Sequence, residues 1–155
     1  MPRKLPYNEG TWFAVPLRTT GYGIGIVTRM APRGRLFGYF FGPARTTAPA
    51  LDEVVTLTPE DAVLRIRFGD LGLLEGTWPI IGHAANFDRT VWPLPPFIRI
   101  DDITGKAFKD TFSDSLDFVA QEPCDPELAR VFPENALWGY RAVESELSEH
   151  LAGPM

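Results

Sequence analysis

The sequence is poor in the residues that most often carry metal and covalent chemistry. Among 155 residues there is one cysteine, Cys124, and there are two histidines, His83 and His150. A lone cysteine excludes an internal disulfide and a multi-cysteine zinc site, and it fits a reducing cytoplasm. No stretch approaches the roughly 20 uninterrupted apolar residues that span a bilayer, so no membrane partner is expected. Met1 to Pro6 carries two basic residues with no apolar run behind them, which is not the pattern of a secretory leader. Long helical patterns are also scarce. The 15 Pro and 14 Gly favour short elements joined by turns.

What remains is an ordinary globular composition, 45% hydrophobic and 23% charged. At this length the chain reads as one domain, 1–155, without an internal repeat or linker. A β-rich core is expected over 8–122 and a helical segment over 125–151. Charge is unevenly spread. Residues 1–50 carry seven Lys or Arg against the single acid Glu9, whereas 51–155 carry eight bases and nineteen acids. An acidic half repels nucleic-acid phosphate and suits either a solvated face or a basic protein partner.

Period-two patterns define the core. Trp12 to Leu17 is a β-prone run, and Pro16 marks a strand end or an edge. After the Arg18–Gly21 turn, Tyr22, Ile24 and Ile26 alternate with Gly21, Gly23 and Gly25. One strand face is therefore bare and the other bulky, a device for strong curvature or close approach. Pro32-Arg33-Gly34 makes a turn, and Arg35 to Phe41 is apolar on both faces, as a central covered strand requires. Residues 42–52 read as loop. Val63 to Phe68 places Leu64, Ile66 and Phe68 opposite Arg65 and Arg67. Trp78 to Ile81, Phe97 to Ile100, Ala107 to Phe112 and Leu116 to Gln121 are further strands, with a turn at Thr104-Gly105. Asp125-Pro126-Glu127 starts one helical turn, and Asn135 caps a helix through about His150 with Tyr140, Val143, Leu147 and Leu151 as its apolar stripe. The expected fold is mainly β (α+β): a strongly curved antiparallel sheet or small barrel-like core with a C-terminal helix.

Candidate chemistry is sparse. Gly21–Gly25 has no following helix and no lysine to make a phosphate cradle. His83, at a strand-to-loop junction, could meet Asn86, Asp88, Asp101 or Asp102, and a His–Asp pair is raw material for a general base. No nucleophile elbow or metal-ligand spacing completes such a site, so no catalytic residue, metal or cofactor is expected. His150 suits the negative end of a helix. Asp101, Asp102, Asp110, Asp114 and Asp117 do not follow calcium-loop spacing. They read as turn carboxylates whose functional use is contact with basic residues of a partner. Trp92, beside the stiff Pro93-Leu94-Pro95-Pro96 segment, is either core or an exposed anchor, while Trp78 reads as core.

Glu9-Gly10-Thr11-Trp12-Phe13-Ala14-Val15-Pro16-Leu17 followed by Gly21-Tyr22-Gly23-Ile24-Gly25 resembles the opening of a family of bacterial immunity proteins from polymorphic toxin systems, immunity protein 26. Phe68-Gly69-Asp70-Leu71-Gly72-Leu73, Gly76-Thr77-Trp78-Pro79-Ile80-Ile81-Gly82 and Pro95-Pro96-Phe97 continue the likeness in the right order, over roughly 8–102. The resemblance implies a mainly β fold and neutralisation of a cognate toxin domain by direct binding, and it supplies no catalytic residues. Two other readings stand beside it. One is an SH3-like small-barrel module for peptide or nucleic acid, and the other is a hydrolase using His83. The sequence does not set the oligomeric state.

Overall fold

Alternation in the first seventy residues folds into an antiparallel meander. The structure, a computed structural model, describes residues 4–152, so the start of the Met1–Pro6 stretch lies outside it. In chain order the elements are β1 (Thr11–Pro16), β2 (Tyr22–Ala31), β3 (Arg35–Arg45), α1 (Leu51–Val54), β4 (Leu64–Gly69), α2 (Leu71–Glu75), β5 (Ile80–His83), β6 (Phe97–Ile100), β7 (Ala107–Phe112), β8 (Phe118–Cys124), β9 (Leu137–Trp138) and α3 (Tyr140–Ala152). A six-stranded sheet runs in the order β5-β1-β2-β3-β4-β9, and a three-stranded sheet runs β6-β7-β8. Among the described strand pairs only β9 with β4 is parallel, and Ile98 of β6 makes an isolated parallel bridge to Glu134. The larger sheet is curved but open, ending at β5 and β9, so the barrel-like closure does not occur among the described residues.

The larger sheet is buried on both faces. Phe13, Val27, Leu36, Phe40, Ile66 and Phe68 form one core layer with Trp78, beneath α3. Trp12, Ile24, Ile26, Phe37, Tyr39 and Phe41 form the other with Trp92 and Phe97. Neighbours in sequence thus alternate between two cores, and each buried large side chain contributes about 1.5–3 kcal/mol. Trp78 stacks on Phe13 with ring centroids 5.5 Å apart and planes 8° apart. Its indole Nε1 donates to buried Glu144 Oε2 at 2.9 Å, tying α3 to the sheet.

The bare face of β2 is a seat. An added Cβ at Gly23 would lie 2.5 Å from Leu147 Cδ2 of α3, and one at Gly25 would lie 2.5 Å from Phe13 Cζ. Gly21 is not part of this face. Its φ of 82° places it in the turn before β2, where only glycine is unstrained.

Several boundaries differ from the sequence reading: β5 is Ile80–His83 rather than Trp78–Ile81, and β8 runs on to Cys124. β3 continues to Arg45 and α1 occupies Leu51–Val54, so 42–52 is not all loop. Leu116, expected in a strand, sits at φ 60° in the Ser113–Asp117 turn with its side chain buried, which starts β8 later. Residues 125–151 are not helical throughout, because β9 intervenes and α3 begins only at Tyr140. Asn135 therefore caps nothing. Its side chain has a tertiary use described below.

Candidate partner-binding surface

The smaller sheet meets the larger through one apolar plug and a set of arginines. Phe97 packs edge-on against Phe37, with centroids 5.6 Å apart, and Phe112 packs edge-on against Phe97 at 5.4 Å. The Arg67 guanidinium lies 4.5 Å from the Phe112 ring centroid and 5.2 Å from that of Phe97. Arg67 Nη2 donates to Asn135 Oδ1, and Asn135 Nδ2 donates in turn to Asp110 Oδ2. Burial first, and Arg35 nearby second, pull the Arg67 pKa below its usual value.

Arg29 is a buried cation, 4% exposed. Its Nε donates to Asp114 Oδ1 at 2.7 Å, and its Nη1 donates to the carbonyls of Thr28 and Trp92 at 2.8 and 3.1 Å. Arg35 Nη1 donates to the Leu116 carbonyl at 3.3 Å. Part of the basic first half is thus spent inside the molecule, on carboxylates and carbonyls of the acidic second half. A buried cation needs such partners, since leaving it alone costs several kcal/mol.

The sequence-picked residues divide accordingly. Trp92 is 7% exposed and packs edge-on with Trp12, Tyr39 and Phe41, so its ring is core rather than an exposed anchor. Asp110 is 1% exposed and accepts from Gln121 and Asn135, an internal role that replaces the expected turn carboxylate. Asp114 is half-exposed but is held by Arg29, with Arg89 Nη1 at 3.7 Å. Hydrogen bonding from Arg29 chiefly, with the charges of Arg29 and Arg89, keeps its carboxyl below the usual range. Asp101 caps its own turn, accepting from the amides of Ile103 and Thr104 at 2.8 and 3.2 Å. Asp102 and Asp117 are exposed. The structure does not bring the five aspartates together: Asp101 and Asp102 lie in the β6–β7 turn, Asp114 and Asp117 in the β7–β8 turn.

His83 ends β5, as expected, and shares a cleft of about 520 Å³ with Asn86 and Asp88. Its hydrogen-bond partner is the Thr11 hydroxyl, 2.7 Å from Nδ1. Asp88 instead accepts from the Thr90 amide and hydroxyl at 2.9 and 2.7 Å. Among the described residues no hydrogen bond or ion pair joins His83 to a carboxylate, and no group of three His, Cys, Asp or Glu is placed to hold a metal.

Sequence reasoning found β8, as Leu116 to Gln121, but not how exposed it is. β8 pairs with β7 and has no described strand on its other side. Phe118 and Val119 are 58% and 60% exposed. The pairing steps from Phe112–Phe118 to Thr111–Ala120, so Val119 is a bulge residue. Uncharged Phe118–Gln121 lies between Asp117 and Glu122. Two apolar residues in a run otherwise free of burial signals were the available clue.

The fold and this surface define a mainly β protein with a helix laid over one face of the larger sheet and an open strand edge on the smaller one. The family model described as Immunity protein 26 matches residues 8–109, well over half of the chain, and the protein belongs to that family. No curated protein and no solved structure matches the chain. The family likeness read from the glycine and tryptophan blocks is therefore correct. No helix among the described residues is long and apolar enough to cross a membrane.

Proposed function

We propose that this immunity protein neutralises a cognate toxin domain by binding it directly, without catalysis, in the bacterial cytoplasm. Family membership over residues 8–109 is the observation that carries this reading. The pairing of His83 with Thr11 rather than with a carboxylate agrees with it. Binding uses the acidic second half: Asp102 and Asp117 remain exposed after Asn135 and Gln121 have taken Asp110 and Arg29 has taken Asp114, and they suit a basic partner. The chain acts as one domain in this role.

The test is to co-express the chain with the toxin-like domain encoded beside its gene. A stable complex and rescue of cells from the toxin are expected. Growth arrest despite abundant folded protein, with no complex in a pull-down, overturns the reading.

A further inference from the structure

We infer that β8 is the docking strand: a basic, extended segment of the toxin adds to its open edge along Phe118–Gln121. The inference rests on the immunity reading and names the surface that reading leaves open. An unpaired strand edge offers a row of amides and carbonyls that another chain can complete, and natural proteins guard such edges with charge, bulges and proline. β8 is guarded only in part. Pro123 lacks an amide hydrogen and ends any added ladder, while the bulge at Val119 fixes where one can begin. Along Phe118–Gln121 the edge carries no charge and presents two large apolar side chains, Phe118 and Val119, to solvent. A guarded edge with an open window specifies register rather than indiscriminate pairing.

Charge selects the occupant. Asp114 and Asp117 stand before the window, and Glu122, Asp125 and Glu127 stand after it. Lys109 pairs with Glu122 at 2.8 Å and Arg130 with Glu127 at 3.2 Å, which leaves Asp117 and Asp125 without a described ion pair. A second copy would bring the same carboxylates face to face, on a chain already carrying a net charge of −5. A segment with an apolar centre and flanking Lys or Arg meets both features. β8 also lies beyond residues 8–109, so contacts there can differ between family members and discriminate among toxins.

Hydrogen exchange on the unmodified chain, alone and with the toxin domain encoded beside its gene, tests this without a variant. New protection is expected of those amides among Val119, Ala120 and Gln121 that face away from β7. Calorimetry adds Val119→Pro, expected to weaken binding by about 100-fold, and Asp117→Lys, expected to weaken it by about tenfold with a smaller salt dependence. Tight binding by the unmodified chain with no protection at 119–121 overturns the edge assignment and leaves the immunity reading standing. No binding by the unmodified chain overturns both. A dimer of the chain alone that Val119→Pro dissolves shows a second copy on the edge and likewise overturns the inference.

Discussion

The six-stranded sheet and the three-stranded sheet are held in different ways. In the larger sheet β1, β2 and β3 are covered on both faces by aromatic and branched side chains, and Phe13 alone touches Phe40, Phe68 and Trp78. In the smaller sheet one face supplies Phe97 and Asp110 to the interior, while β8 is exposed along almost its whole length. Besides the Phe97 plug, its attachment uses Arg29, Arg35, Arg67 and Asn135, side chains with directional bonds. Apolar packing is non-directional and tolerates few polar substitutions. A small sheet clamped at a few points can change its outer residues freely so long as the clamps persist.

The comparison can be broken most severely at Phe13. Phe13→Ala removes a fully buried ring and should cost about 4 kcal/mol in urea denaturation, with both sheets lost together. Asn135→Ala removes the acceptor of Arg67 and a donor to Asp110 at once. About 2 kcal/mol is expected, with amide exchange accelerated in β7 and β8 well before β2 and β3. Equal acceleration in both sheets would erase the distinction.

Acid sharpens it further. An unfolded aspartate titrates near about 3.9, and folded Asp114 is held below that, so the folded chain binds fewer protons between the two values. The stabilisation is present above the unfolded value and is lost as pH falls through the folded one. Melting temperature should drop as pH falls below about 4, and Asp114→Asn should be lower at neutral pH and lose less on acidification. The smallest effect belongs to Glu9→Gln. Its two carboxylate oxygens accept from exposed Arg89 at 2.7 Å each, an ion pair in water worth under about 1 kcal/mol.

The larger sheet was largely legible because its signals are local. Alternating Ile24 and Ile26 with Gly23 and Gly25, the doubly apolar run from Leu36 to Phe41, and the turns at Pro32 and Pro59 each fix an element by themselves. β9 and the start of α3 were not legible. Leu137-Trp138 is too short to show a period, and Asn135 looks like a cap until Arg67 and Asp110 are found on either side of it. Leu116 was misplaced because a positive φ in a non-glycine residue has no sequence signature. The candidate surface was half legible: the acidic stretch could be counted, but which aspartates are internally spent depends on contacts between residues some 80 positions apart, such as Arg29 with Asp114. Trp92 could not be assigned from its neighbours, since prolines flank buried and exposed tryptophans alike.

The glycine seat on β2 also orders events during synthesis. Chains emerge N-terminus first, and the strands that carry Gly23, Phe13 and Phe40 are complete long before α3 is made. Until Leu147 settles against Gly23, that sheet face lacks its helical cover, and a nascent chain shows the part that Trp78 leaves open to chaperones and to other nascent chains. A ribosome stalled before codon 140 would hold a meander without Val143 and Leu147 over that core.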